Sequence, residues 1–354
     1  MAASALSGAA AVGPLCITAS NPLNATKEYF PQSMRISADG SEAGAATVKI
    51  AGDFAVTYHP NFKVVETFCQ AHSPYSCKPK MYILSICGAA KPTAFPNGTA
   101  IPSAAAHFAV PLTGLAVGSG AQVTFIEMLG LLDRVQVVDP TYVHSPCLQK
   151  LEEEALIVGQ KTGANWTKLL ENHPTVSGVF TDSYGTGKSD SAKDIVFDAT
   201  TDPGAMARAE WIKFMSVFFN EEDKANLYFD KELAAFTATS AATAAVAAAT
   251  TPKTCAWVSL GWGDVYTLSF TKYKTDYCKA AGMVPVTNAT LLAAGTYTQK
   301  WNKWINKTAG ELDVDAQAAF HNMLKMVDVV GQCTLLLLLL SSSLLLSFLN
   351  PPAP

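Results

Sequence analysis

Four places in the chain carry residue types that could do chemistry. The first is Gly118-Ser119-Gly120, in VGSGAQVTFIEMLGLLDRVQVVD (117–139), where a glycine turn joins an apolar run to an amphipathic stretch. A dinucleotide-binding fingerprint would add a third glycine where Val123 stands, so that the helix could approach the strand closely. Asp139 falls near the place of that fold's ribose-binding acid, but an aspartate commonly ends such a strand. The second place is DSYGTGKSDS (182–191), where Gly187-Lys188-Ser189 copies the end of a phosphate loop. Asp182 occupies the position of the required first glycine, and SAKDIVFDA offers no long helix whose N-terminus could bind phosphate. Both read as turns without nucleotide.

The third and fourth places are the histidines and the acidic runs. His59, His72, His107, His144, His173 and His321 are scattered, and no H-E-x-x-H or G-x-S-x-G stands among them. LEEEAL (151–156) and NEED (220–223) read as solvated helix faces, and no C-x-x-C spacing points to a metal. An enzyme would require a nucleophile with a base in reach, such as Ser119 beside a histidine.

What remains is a set of aromatic and small polar residues at the ends of expected strands. These are Tyr58 and His59, then Ser119, Gly120 and Gln122, then Asp182 and Tyr184, and finally Trp262, Asp264 and Tyr266. In open parallel sheets ligands bind beyond the carboxyl ends of the strands, so their shared location points to ligand contact. Each has a plainer alternative; Trp262 could be core.

The elements that would position them follow from periodicity. ATVKIAGDFAVTYHPNFKVVETF (46–68) alternates as a strand pair, and MYILSICG (81–88) suits a buried parallel strand. HFAVPLTGLAVGSG (107–120) reads as one strand and its turn, followed by a helix with Val123, Ile126, Leu129 and Leu132 at helical spacing. VQVVD is the next strand, and NWTKLLENHPTVSGVFTD (165–182) repeats helix then strand. Thr201 or Asp202 is expected to cap a helix with Pro203 in its first turn and Trp211, Met215 and Phe218 as its stripe. A second helix should run from about 221 to 248, roughly 40 Å at 1.5 Å per residue, as a stiff strut. KTCAWVSLGWG (253–263), YKTDYCKAAGMVPV (273–286) and AQAAFHNMLKMVDVV (316–330) form a second, shorter α/β unit.

Composition sets the compartment and excludes some partners. The 354 residues carry a net charge of -4 with 15% charged side chains and no basic run, so no nucleic-acid partner is expected. Eight cysteines suit disulfides in an oxidising compartment, Cys69 with Cys77 and Cys255 with Cys278 among the pairings sequence leaves open, with buried free thiols as the alternative. Acceptors for N-glycosylation stand at Asn24, Asn97, Asn165, Asn288 and Asn306. The start, MAASALSGAAAVGPLCITAS, is a weak signal peptide, whereas CTLLLLLLSSSLLLSFL (333–349) resembles the removable tail of a glycolipid-anchor signal. These features place the chain on the extracellular face of the plasma membrane or in the secretory and endosomal system, tethered to the membrane surface through that tail.

KVVETF, YILSICG, VPLTGLAVGSGAQVTFIEMLGLLDRVQVVD, LLENHPTVSGVF and AWVSLGWGDVYTLSFTKYKTDYCKAAG resemble the metal-chelate and vitamin B12 class of periplasmic substrate-binding proteins, over about residues 45 to 330. The resemblance implies an α/β fold of two Rossmann-like lobes with parallel sheets, joined by a long rigid helix, with the ligand cleft between them. It divides the chain into an N-terminal region (1–44), a first lobe (45–219), a connecting helix (220–250), a shortened second lobe (253–332) and a hydrophobic tail (333–354). It implies a non-catalytic protein with no metal and no covalent cofactor, which hands cobalamin to an uptake receptor or transporter. An iron-siderophore is the alternative ligand and a secreted α/β enzyme the more distant one. The contacts carried over are Tyr58, His59, Ser119, Gly120, Gln122 and Tyr184 from the first lobe and Trp262, Asp264 and Tyr266 from the second. Aromatic walls and neutral donors suit a corrin, whereas an anionic siderophore calls for arginines.

Overall fold

A computed structural model describes residues 16, 35–36, 42–43, 45–68, 78–143, 145–159, 165–183, 191–260 and 266–286. The chain divides into two compact units, 1–232 and 233–354.

In the first unit a short antiparallel pair, β1 (Arg35–Ile36) and β2 (Glu42–Ala43), precedes a four-stranded sheet. The expected strand pair forms as β3 (Phe54–Tyr58) and β4 (Phe62–Thr67), antiparallel from Phe54 opposite Thr67 to Tyr58 opposite Lys63. β5 (Lys80–Ile86) adds antiparallel to β4, and β6 (Ala106–Val110) adds parallel to β5. The single strand expected over 107–120 is two. Pro111, which has no N–H to give the ladder, ends β6, and β7 (Leu115–Val117) starts a different sheet.

That second sheet is wholly parallel, in the order β11–β10–β7–β8–β9. After β7 the chain forms α1 (Gly120–Leu129), β8 (Val135–Val138), α2 (Pro146–Glu153), β9 (Val158–Gly159) and α3 (Trp166–Asn172). It then returns to the other side of β7 as β10 (Gly178–Thr181) and β11 (Asp194–Val196). The α/β class with a parallel sheet is therefore present. KDIVFD supplies the edge strand β11, a strand that the sequence reading did not assign.

α4 (Ala205–Ser216) joins the two sheets into one core. Its stripe of Trp211, Phe214, Met215 and, just beyond, Phe218 is fully buried. Phe54 of β3 meets Trp211 at 5.0 Å between ring centroids, Tyr82 of β5 meets Phe218 at 5.8 Å, and Phe180 of β10 meets Phe218 at 5.9 Å. Mostly tilted or edge-on rings from both sheets thus lock onto one helix. The cap of α4 is Gly204, not Thr201 or Asp202. Asp202 instead turns its carboxylate to Gly52 N at 3.2 Å and to the Trp211 indole at 3.4 Å.

α5 (Glu222–Ala249) is the long helix expected, of 28 residues, and the unit boundary falls inside it after Glu232. By length and composition alone it could cross a membrane. Its first turns pack on the first unit, where Glu222, Ala225 and Phe229 are buried.

Within the second unit, β12 (Thr254–Cys255) pairs parallel with β15 (Val284–Pro285), and β13 (Val258–Leu260) pairs antiparallel with β14 (Tyr266–Leu268). α6 (Lys272–Ala280) ends at Gly282 with φ 71°, and Met283 N closes back on Cys278 O at 2.9 Å. Cys255 and Cys278 form the expected disulfide. A second one joins Cys16 to Cys87, a pairing sequence did not suggest, and Cys147 is unpaired and exposed. Cys69 and Cys77, the helix and strand over 316–330 and the leucine tail lie outside the described residues.

Candidate functional site

The carboxyl edge of the five-stranded sheet is built from backbone ties between neighbouring strand ends. Gly118 N donates to Phe180 O at 2.9 Å, Asp139 N to Val117 O at 2.9 Å, and Phe197 N to Thr181 O at 2.8 Å. Ser183 N adds a bond to the Asp198 carboxylate at 2.8 Å. The residues that follow β8, β7, β10 and β11 therefore form one continuous rim. The strand order reverses between β7 and β10: chain growth runs away from β7 through β8 and β9, then comes back to its other side. Loops leaving two such strands diverge and open a crevice at the reversal.

Ser119 and Gly120 stand at this reversal, both half-buried. Ser119 is the N-cap of α1, and its hydroxyl accepts from Ala121 N at 3.4 Å. Gln122 closes a capping box: its Oε1 accepts from Ser119 N at 3.2 Å while its Nε2 donates to Thr181 O at 3.0 Å. With 0% exposure and both ends of the amide engaged, Gln122 holds α1 to β10 rather than reaching outward. At its far end α1 closes on Gly130, φ 71°, and Leu129 O accepts from the Lys224 ammonium of α5.

Tyr58 lies elsewhere, at the foot of α5. Its hydroxyl accepts from Ala46 N at 3.0 Å and donates to Glu222 Oε1 at 3.2 Å. Burial, reinforced by the Glu222 charge, pushes its ionisation well above the ordinary tyrosine range, so it stays a neutral donor. Lys63, fully buried, joins the same group through Glu222, Asn220 Oδ1 at 2.7 Å and Val217 O at 2.9 Å. His59 packs its ring on Phe62 at 4.5 Å, and burial lowers its basicity. Neither residue belongs to the rim of the parallel sheet; both end a strand of the four-stranded one. Tyr184, Trp262 and Asp264 lie outside the described residues, and Tyr266 is described as the first residue of β14.

Sequence reasoning passed over Asp198 and Ser183 at the rim. Asp198 follows the β11 strand and is 5% exposed. Burial raises its carboxyl above the ordinary range, against the Ser183 N–H, which lowers it. A folded-state value above the unfolded one means that the folded protein holds this proton more readily. Its charged form therefore opposes folding at neutral pH, and the opposition fades as pH falls through the folded value. Asp198→Asn keeps an acceptor for Ser183 N, so it should raise the urea midpoint at pH 7, with the gain shrinking toward about pH 4. An equal gain at both pH values would overturn this reading.

Among the described residues no group of three or more His, Cys, Asp or Glu side chains is placed to hold a metal ion.

No known protein-family profile matches the chain. Over 87 residues it is 32% identical to an uncharacterized lipoprotein of Methanocaldococcus jannaschii, a match covering 23% of the chain. The chain spans only 20% of that relative's length. Among solved structures it is similar to a periplasmic binding protein from Veillonella parvula, with TM-score 0.43, 14% identity and coverage of 66% of this chain and 69% of that one. It is similar also to a possible iron-binding periplasmic solute-binding protein from Staphylococcus epidermidis, with TM-score 0.39, 7% identity and coverage of 52% and 74%. A third is the periplasmic heme-binding protein of Vibrio cholerae, with TM-score 0.38, 12% identity and coverage of 51% and 72%. The ligands named for these neighbours are theirs.

Proposed function

We propose that the protein is an extracellular substrate-binding protein that captures cobalamin and delivers it for cellular uptake without catalysis. The observation that carries this reading is the position of Ser119 and Gly120 at the strand-order reversal of a parallel sheet whose rim is tied together by backbone bonds. The sequence segments quoted above, which resemble cobalamin acquisition proteins of algae, supply the ligand.

The chemistry of the rim favours a neutral ligand over an anionic one. Residues Gly118 to Gly120, Asp139, Asp182, Ser183, Phe197 and Asp198 follow β7, β8, β10 and β11, and none is cationic. An anionic ferric siderophore would meet like charge at the half-buried Asp182, whereas the amide fringe of a corrin would meet an acceptor there. Of the first-lobe contacts that the resemblance carries over, Ser119 and Gly120 stand at that reversal. The segment 333–349 would tether the protein to the outer membrane surface, near the transporter that receives its cargo.

Calorimetric titration of the full chain with cyanocobalamin tests the reading. Saturable heat at micromolar protein is expected. Heat with a ferric siderophore and none with cyanocobalamin would replace it by the iron-chelate alternative, and silence with both would remove the binding function.

A further inference from the structure

Two of the N-glycosylation acceptors lie among the described residues, and the fold treats them differently. Asn97-Gly98-Thr99 is the tip of a hairpin. Phe95 N donates to Thr99 O at 2.8 Å, Gly98 N to Phe95 O at 2.9 Å and Ile101 N to Thr93 O at 2.9 Å, with Ala94 bridged to Ala100. Pro96 through Ala100 are exposed. Thr99 N donates to Asn97 Oδ1 at 3.0 Å, so the carboxamide is held by its oxygen, on a tip open to solvent. Gly98 takes φ 84°, and a Cβ added there would meet nothing within 4 Å, so the tip has room on that side as well.

Asn165-Trp166-Thr167 begins α3. Asn165 Oδ1 accepts from Lys168 N at 2.9 Å, and Trp166, 3% exposed, packs with Ala116, Val137, Leu170 and Val179. Drawing these three residues into an enzyme's groove would unpack that cluster. Disulfides in both units suit the oxidising compartment in which glycans are transferred.

We propose that Asn97 is a glycan attachment site, occupied in preference to Asn165. The donor class is a polyprenyl-diphosphate-linked oligosaccharide. Asn97 Nδ2 bonds to C1 of its first sugar, the bond from C1 to the diphosphate oxygen breaks, the polyprenyl diphosphate leaves, and an amide proton passes to a base of the transferase. The inference does not depend on the ligand of the sheet rim.

The full chain, expressed behind a secretion signal in eukaryotic cells, is to be treated with peptide N-glycosidase in 18O water and mapped by mass spectrometry. Label is expected at position 97 in most molecules and at 165 in few. Asn97→Asp, which keeps the acceptor for Thr99 N, should remove one glycan from the intact mass, as should Thr99→Val. An unlabelled Asn97, or occupancy at 165 exceeding that at 97, would overturn the proposal.

Discussion

Lys63→Met should lower the unfolding free energy of the protein by about 3–5 kcal/mol, because it leaves a buried carboxylate without its cation. Lys63 and Glu222 are both fully buried and paired directly, although 159 positions apart. Methionine matches the stem of lysine in length and polarity, so the loss of packing is small and the loss of charge dominates. Glu222 would keep only the neutral Tyr58 hydroxyl at 3.2 Å, since its Oε2 has no hydrogen-bond partner. Burial also lowers the basicity of Lys63, with the Glu222 charge opposing that fall, so the pair stands or falls together. The double change Lys63→Met with Glu222→Leu should therefore recover most of the loss, and urea unfolding of the three proteins measures both effects. A single variant within about 1 kcal/mol of the parent, or a double variant no better than the single one, would show that the pair does not fasten α5.

That pair also marks where the sequence stopped being legible. FKVVET alternates well enough to predict a strand, and the hairpin with FAVTY follows from it. Burial on both faces of β4, with a lysine among them, is set by α4 on one side and by Phe95 and Ile101 on the other, neither of which periodicity can place. The helices with local signals were readable: α1 from Val123, Ile126 and Leu129, α3 from its stop before Pro174, α6 from Gly282. The junction at Pro111 was not, because an apolar run gives no sign that its two halves pair with different partners. At the candidate site Ser-Gly-Ala-Gln spells a capping box, and that local reading accounts for Gln122 Oε1, whereas its Nε2 goes to Thr181 O on a strand that local pattern cannot place. Tyr58 ends a strand as expected, yet its hydroxyl is spent on Ala46 and on Glu222, the latter on a helix more than 160 residues away. Asp198 was missed because its strand has only three residues and follows a polar loop.

Glu210→Ala should cost about 3–5 kcal/mol and free a specific segment, residues 45 to 53. The Glu210 carboxylate on α4, 0% exposed, gathers three consecutive backbone donors: Lys49 N at 2.8 Å on Oε1, Ile50 N at 2.6 Å and Ala51 N at 2.7 Å on Oε2. Lys213, one turn later on α4, completes the group at 2.9 Å. Hydrogen bonds to a charged group contribute about 1.5–3 kcal/mol each when the alternative is a stranded donor, so truncation strands several at once. Lys213 would retain Thr47 O at 2.7 Å and the face of Phe229 at 4.3 Å, which limits the loss. The freed segment matters beyond itself, because Ala45 O accepts from Asn226 at 2.8 Å and Lys49 pairs with Asp230 at 3.3 Å, both on the first turns of α5. Hydrogen exchange separates this mechanism from general destabilisation: the amides of Lys49, Ile50 and Ala51 should lose protection first, ahead of those in β4 and β5. Glu210→Gln, which keeps one acceptor oxygen, should fall between the parent and the alanine variant. Uniform loss of protection across the first unit would mean that Glu210 supports α4 as a whole instead of clamping the segment that braces α5.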